Sequence, residues 1–252
     1  GCLFIPLYYV AIILLFVYVK FDNGPLPKGF VFLRDVDDSI IQEMRYAGIH
    51  NFVGNPIIGY DAPECILTYE MAHALKKAQK KFLSEGYSLK VYDCYRPQYA
   101  VEYFADWAED FSDNRMKLEF YPTVNKTTLF EKGYVIHKSG HTRGSTSDLT
   151  IIKLPAKSQP VWKKDSKQVD CTAPNRYADN TIDMGTGFDC FSPKSHTEYD
   201  NLTATQLENR HYLLNSLKAV GLVNYVNEWW HYTFQPEPFP DTYFNFTVIA
   251  RP

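Results

Sequence analysis

The sequence predicts an α+β fold, a central antiparallel sheet with helices packed on it. Three observations predict it. Residues 68–85 and 205–220 carry apolar side chains at helical spacing. Several shorter runs have the alternation, or the β-branched and aromatic content, of strands. The two kinds of segment do not alternate as regular βαβ units, which argues against a doubly wound parallel sheet.

Residues 21–36 contain Gly24, Pro25, Pro27 and Gly29 and read as a linker (21–29) followed by an edge segment. From 40 to 59 the spacing of Gly, Asn and Pro argues for turns and short extended pieces. Residues 68–85 make a helix with Thr68 as its cap, Met71, Leu75, Ala78 and Phe82 as its apolar stripe, and Gly86 as its stop. His73 lies off that stripe and reads as an exposed helical histidine. Residues 88–95 read as a strand. Pro97 then opens a second helix from its first turn, with Ala100, Tyr103, Phe104 and Trp107 as the buried side.

Residues 111–133 read as an irregular surface excursion. Residues 134–137 and 148–154 are candidate strands, and the polar run 153–183, holding Trp162 and Cys171, reads as an inserted loop. Thr205 and Glu208 form a capping box for the helix over 205–220, with Leu207, Leu214 and Leu217 facing inward, His211 structural and Gly221 at its end. The aromatic-rich run 224–234 reads as the final core strand, with Trp229 and Trp230 as packing residues.

A chain of 252 residues with 45% hydrophobic and 16% aromatic content can bury one substantial core, so one domain (30–252) behind a leader is expected. The formal net charge of −3, with no long basic tract, excludes a nucleic-acid partner.

Residues 2–19 carry no charge and end at Lys20, a length that barely spans a bilayer. Signal peptide, signal anchor and buried helix compete. The run has no polar side at helical spacing, which disfavours the buried helix. It also has no basic n-region or small-x-small cleavage site. Gly1-Cys2 lacks the Ser or Thr that a myristoylation signal wants. We therefore read 1–20 as a signal peptide or anchor, through which alone the chain would touch a membrane.

Asn125-Lys126-Thr127, Asn201-Leu202-Thr203 and Asn245-Phe246-Thr247 match the N-glycosylation pattern. Beyond Cys2 four cysteines remain, an even number that suits two disulfides in an oxidising compartment. Three connectivities are open, and we take Cys65–Cys94 with Cys171–Cys190; four buried free thiols is the competing reading. Lys20 points the other way by the positive-inside rule. Leader, sequons and cysteines together outweigh it and place the domain outside the cytoplasm, secreted or lumenal.

The chemistry centres on Ser139-Gly140-His141-Thr142-Arg143-Gly144-Ser145-Thr146-Ser147-Asp148 and, far downstream, Glu228-Trp229-Trp230-His231. His141, Asp148 and His231 offer two imidazoles and a carboxylate, a set that suits one Zn²⁺ with its fourth position open. Glu228 is a free carboxylate beside it, as a zinc hydrolase needs for its base. In a regular strand residues 228 and 231 face opposite ways, so a bulge or strand end must turn Glu228 to the metal. Gly144 lets the chain turn tightly and approach the metal.

Ser139-x-His141-x-x-Gly144-x-x-x-Asp148 followed by Glu228-x-x-His231 resembles the D-alanyl-D-alanine dipeptidase (VanX-type) family of zinc peptidases. Asp93-Cys94-Tyr95-Arg96-Pro97 is similar to that family's Asp-Gly-Tyr-Arg-Pro segment. Met44-Arg45-Tyr46-Ala47, Asn51-Phe52-Val53-Gly54, Met184-Gly185 and Phe188-Asp189 are similar to its other signatures, so the likeness covers roughly residues 30–250. The resemblance implies a zinc site in a cleft on the sheet, held by His141, Asp148 and His231. It implies Glu228 as general base and Arg96 as the group that stabilises the oxyanion, a role suited to a fixed guanidinium. Tyr46, Ser139 and Asp189 would surround the ammonium of a short D-amino-acid dipeptide.

Arg96 as a structural ion pair with Asp93 is the competing assignment for that residue. The chain departs from the family at Cys94, which stands where glycine is usual. Leader, sequons and the 153–183 run suggest an exported form. Two other function classes compete: a zinc carboxypeptidase trimming longer wall peptides, and a secreted zinc-binding module without catalysis. The second is disfavoured because a purely structural site needs neither Glu228 nor Arg96.

Overall fold

The computed structural model describes residues 26–252, so the expected leader (1–20) and most of the linker lie outside the described residues. No helix among the described residues is long and apolar enough to cross a membrane. The strands are β1 (Phe30–Phe32), β2 (Ile41–Gln42), β3 (Ile66–Thr68), β4 (Tyr87–Asp93), β5 (Thr146–Lys153), β6 (Leu222–Asn224) and β7 (His231–Phe234). Between them lie two single-turn helices, α1 (Leu33–Val36) and α4 (Lys117–Phe120), and three long ones, α2 (Tyr69–Ser84), α3 (Gln98–Glu109) and α5 (Ala204–Lys218).

The apolar stripe of α2 does what its spacing predicts: Met71, Leu75, Ala78 and Phe82 are fully buried. Truncating Phe82 to alanine in such a core costs about 3–5 kcal/mol. Gly86 ends the helix at a positive φ of 81°. Thr68 occupies the cap position, but its hydroxyl bonds Ser145 Oγ at 2.8 Å rather than a helix N–H. Pro97 precedes α3, which buries Ala100, Val101, Phe104 and Trp107 and leaves Tyr103 half-buried.

The five-stranded sheet has the order β2-β4-β5-β7-β6. It is mixed rather than purely antiparallel. β2 runs parallel to β4, because β3 and α2 intervene and carry the chain back to the starting edge. β1 and β3 form a separate antiparallel pair. Along β5, Leu149 and Ile151 face the helices and share a core with Leu75, Phe82, Leu213 and Leu217. Asp148 and Thr150 face the other way. A second, aromatic cluster of Tyr46, Phe52, Phe104, Trp107, Phe120 and Phe191 brings α3 under that opposite face.

The polar run 153–183 packs back onto the sheet instead of projecting as a loop. Asp179 accepts from Tyr92 and from Lys90, and Thr181 pairs with Thr150. Both expected disulfides are present, Cys65–Cys94 and Cys171–Cys190.

Three other expectations are corrected. Residues 134–137 form bends and no strand, and Tyr134 instead stacks on Phe191. The capping box of α5 is Thr203 with Gln206, two residues before Thr205 and Glu208, and Leu213, rather than Leu207 or Leu214, is fully buried beside Leu217. The run 224–234 is a hairpin and not one strand. Asn224 Nδ2 donates to the carbonyls of Glu228 and His231 and so folds the turn between β6 and β7. Trp229 and Trp230 are core residues, as expected.

Candidate active site

The site is built on β5, the central strand. Asp148 is in register with Asp93 of β4 on one side and His231 of β7 on the other, so three chemistry-bearing residues form one row across the sheet. A register irregularity between Val91 and Asp93 marks a bulge at the β4 end of that row. His141 comes from the short 3₁₀ turn Gly140–Arg143 that leads into β5. Ser139 caps this turn, accepting from the His141 N–H at 3.3 Å. Gly144 closes it at φ 82°, where a Cβ would come within 2.2 Å of Phe30. Glycine is required there by the tight turn, as the sequence suggested, and by Phe30.

The facing atoms of His141, Asp148 and His231 form a triangle. His141 Nε2 lies 3.3 Å from His231 Nδ1 and 3.3 Å from Asp148 Oδ1, and His231 Nδ1 lies 3.1 Å from Asp148 Oδ1. Ligand atoms about 2.0–2.1 Å from a tetrahedral zinc stand about 3.3 Å apart. Asp148 Oδ1 is buried and receives no well-directed hydrogen bond. His141 Nδ1 is used by the Cys94 carbonyl at 2.8 Å, which leaves Nε2 with its lone pair toward the triangle. The donor set therefore fits a zinc ion.

Glu228 stands in the turn before β7, where its carbonyl accepts from the His231 N–H. The three-residue turn puts Glu228 Oε2 3.4 Å from His231 Nδ1 and answers the strand-parity problem without a bulge. Burial pushes Glu228 up to about 7; His231 opposes this and the Asp148 charge adds to it. Burial also works against charge on Asp148, but His141 and His231 hold it well below the usual carboxylate range.

Arg96 lines the same cavity, of about 250 Å³. Its Nε and Nη2 both bond Asp93 Oδ2, at 3.0 and 2.9 Å. The ion pair weighed as the bland alternative thus exists, and it aims the guanidinium at the cleft, 3.8 Å from Asp148. Burial opposes the charge, yet Asp93 keeps Arg96 firmly protonated. Asp93 also accepts from Tyr60 at 2.7 Å, a contact with no sequence signature.

Tyr46, Ser139 and Asp189 all line the cavity and are almost wholly buried. Tyr46 donates to Asp189 Oδ2 at 2.7 Å. Asp189 has no cationic partner among the described residues, and burial, with Asp148 adding, raises its pKa well above the usual range. It sits at φ 56°, a conformation that side chains other than glycine adopt only where the surroundings enforce it. A buried carboxyl without a cation lacks the charge partner that burial of an ionised group calls for. Two cavity-lining residues that sequence reasoning passed over are Tyr134 and Tyr225.

Comparison with known proteins identifies the family. A family model described as D-ala-D-ala dipeptidase matches residues 27–161 and 155–249. The chain is 35% identical over 223 residues to the D-alanyl-D-alanine dipeptidase of Enterococcus faecalis, covering 88% of this chain and 100% of that one. It is 34% identical to the D-alanyl-D-alanine dipeptidases of Enterococcus faecium and Streptomyces coelicolor, covering 87% of this chain and 98% of each. A protein of the same description from Escherichia coli is 26% identical over 190 residues, 75% of this chain and 76% of its own length. With the family match running over nearly every described residue, this chain belongs to the D-ala-D-ala dipeptidase family of peptidases.

Proposed function

We propose that this protein is a zinc dipeptidase that hydrolyses D-alanyl-D-alanine-type dipeptides. The observation that carries the reading is a single small cavity. It is lined by the donor triangle, by the Glu228 carboxylate, by the Arg96 guanidinium and by the unpaired carboxylate of Asp189. At about 250 Å³ it falls below the roughly 300–1,000 Å³ of pockets for drug-sized ligands. That size suits a substrate of two small residues.

His141, Asp148 and His231 would hold one zinc ion, which when bound supplies a Lewis acid for the attacking water and the scissile carbonyl. The chain's own groups do the rest. Asp189, with the Tyr46 and Ser139 hydroxyls, binds the substrate's ammonium and fixes its orientation. Glu228 takes a proton from the attacking water on its carboxylate. It then returns that proton to the leaving nitrogen as the C–N bond breaks, giving two amino acids. Its place 3.4 Å from His231, at the edge of the donor triangle, suits both halves of that transfer. Arg96, held by Asp93, presents N–H donors to the carbonyl oxygen as negative charge develops there.

A carboxypeptidase acting on longer peptides is disfavoured by the buried, closed ammonium end. A binding module without catalysis would have no use for Glu228 and Arg96. Two disulfides and exposed sequon residues Asn125, Asn201 and Asn245 support an exported, glycosylated form, with the leader as its signal or anchor. The test is D-alanine release from D-alanyl-D-alanine by the zinc-loaded domain beside Glu228→Ala. Release by the wild type alone, abolished by a chelator, is expected. No release despite stoichiometric zinc would overturn the substrate assignment.

A further inference from the structure

The two ends of the cleft differ. At the ammonium end Tyr46, Ser139 and Asp189 are buried, and no extended chain can pass them. The other rim is formed by two segments that meet across the opening. One is the bend at Gly133 and Tyr134, the other the turn that begins at Tyr225. A Cβ placed on Gly133, which has φ 73°, would lie 3.5 Å from the Tyr225 hydroxyl, so the segments are in van der Waals reach. Tyr134 is fixed by stacking on Phe191, with centroids 5.0 Å apart and planes at 14°. Tyr225 is set edge-on to His231, with centroids 5.7 Å apart, and its N–H bonds the His231 carbonyl. Its ring therefore keeps a fixed place beside the metal ligands although 40% of its surface is exposed.

The hydroxyl of Tyr225 accepts from Asn227 Nδ2 at 3.2 Å. Its own hydrogen has no acceptor among the described residues and is free to donate into the cleft. A dipeptide whose ammonium lies on Asp189 and whose scissile carbonyl lies between Arg96 and the donor triangle must direct its carboxylate toward this rim. The sole guanidinium of the cavity, that of Arg96, is already committed to Asp93.

Building on the dipeptidase reading, we infer that Tyr225 is the residue that recognises the substrate's C-terminal end. Its hydroxyl donates to the free carboxylate of the departing residue, and its ring, closed against Gly133, excludes a further residue beyond it. One side chain thereby selects both for a carboxylate and against chain length.

The two roles separate by substitution. Tyr225→Phe keeps the ring and loses the donor; Tyr225→Ala loses both. Each is assayed, beside the wild type, on D-alanyl-D-alanine, on its C-terminal amide and on the D-alanine tripeptide. A hydrogen bond to a charged group predicts that Tyr225→Phe lowers kcat/KM on the dipeptide about tenfold or more, through KM, with a several-fold smaller loss on the amide, whose carbonyl accepts only a neutral hydrogen bond. Tyr225→Ala raises the tripeptide-to-dipeptide ratio of kcat/KM about tenfold or more. If the acid-to-amide ratio of Tyr225→Phe equals that of the wild type, or the length ratio of Tyr225→Ala does not rise, the inference is wrong. If the wild type cleaves none of the three, the dipeptidase reading falls and takes this one with it. Since Tyr225 is a rim residue, thermal melts of both variants should match the wild type and exclude misfolding as the cause.

Discussion

His141 Nδ1 donates to the carbonyl of Cys94 across 2.8 Å, and Cys94 is itself bonded to Cys65. The imidazole proposed to hold zinc is thus oriented by a backbone group whose position a cross-link holds. The segment on which that carbonyl lies also carries Asp93 and Arg96. Replacing the pair by Cys65→Ala with Cys94→Gly should lower stability by about 3 kcal/mol in denaturant unfolding. It should also weaken zinc binding by about tenfold or more, read by competition with a chromogenic chelator. An unchanged zinc affinity would show that packing alone sets the carbonyl.

Asp148 supplies the negative charge of the donor triangle. Asp148→Asn should leave purified protein with sub-stoichiometric zinc and lower activity by at least about a hundredfold, because a neutral amide oxygen is a poor zinc ligand. In the wild type, a chelator should lower Tm, since zinc that binds only the folded chain stabilises it by mass action. A Tm indifferent to chelator would argue that no metal is held at this triangle.

The ammonium-binding role proposed for Asp189 sets binding against stability. The Asp189 carboxyl is buried without a cation and its pKa is raised, so at pH 8, where the unfolded chain ionises it freely, keeping it buried costs the free protein stability that a substrate ammonium would offset. Asp189→Asn should therefore raise Tm at pH 8 while lowering kcat/KM for the dipeptide by roughly 30-fold or more. The same substitution should make little difference to a substrate with an acetylated amine. A lower Tm would mean that Asp189 is a structural residue.

Glu119 gives a pH-dependent test far from the chemistry. Arg45 donates to His50 Nδ1 at 3.0 Å, so neutral His50 must carry its proton on Nε2, facing Glu119 Oε1 at 2.7 Å. Burial, with the Arg45 and Lys90 charges adding, keeps His50 neutral. Burial pushes Glu119 up to about 8, with Arg45 opposing. A carboxyl raised in the folded state contributes stability that is fully present below its unfolded pKa near 4.5 and is lost as pH rises through 8. Glu119→Gln should match the wild type near pH 5 and exceed it at pH 8, by on the order of 2–5 kcal/mol. Equal pH profiles would place an ionised Glu119 in the wild type.

Much of this was legible in the chain. The stripe of α2 was readable because Met71, Leu75, Ala78 and Phe82 all obey one period, and all four are buried. The donor triangle was readable because two short motifs confine its members. What failed depended on tertiary choices. Thr203/Gln206 and Thr205/Glu208 satisfy the same capping pattern, and the first is favoured by a bond from Gln206 to Asp183, distant in sequence. The turn inside 224–234 rests on Asn224 bonding two carbonyls, which composition does not announce. The Cys94 carbonyl was invisible because a backbone acceptor leaves no mark on a sequence, and the Tyr60–Asp93 bond because it joins side chains 33 residues apart with no motif between them.

The row Asp93, Asp148, His231 has a consequence for how the site is kept intact. Side chains alternate along β5, so a slip of one residue against β4 and β7 would carry Leu149 into the cleft and drive Asp148 into the apolar core. Such a slip would empty the core and dismantle the ligand set in one step. The strand cannot be mis-threaded a little. The grease on one face of β5 acts as a ratchet for the carboxylate on the other, so a chain that has packed its helices correctly has already counted its ligands into place.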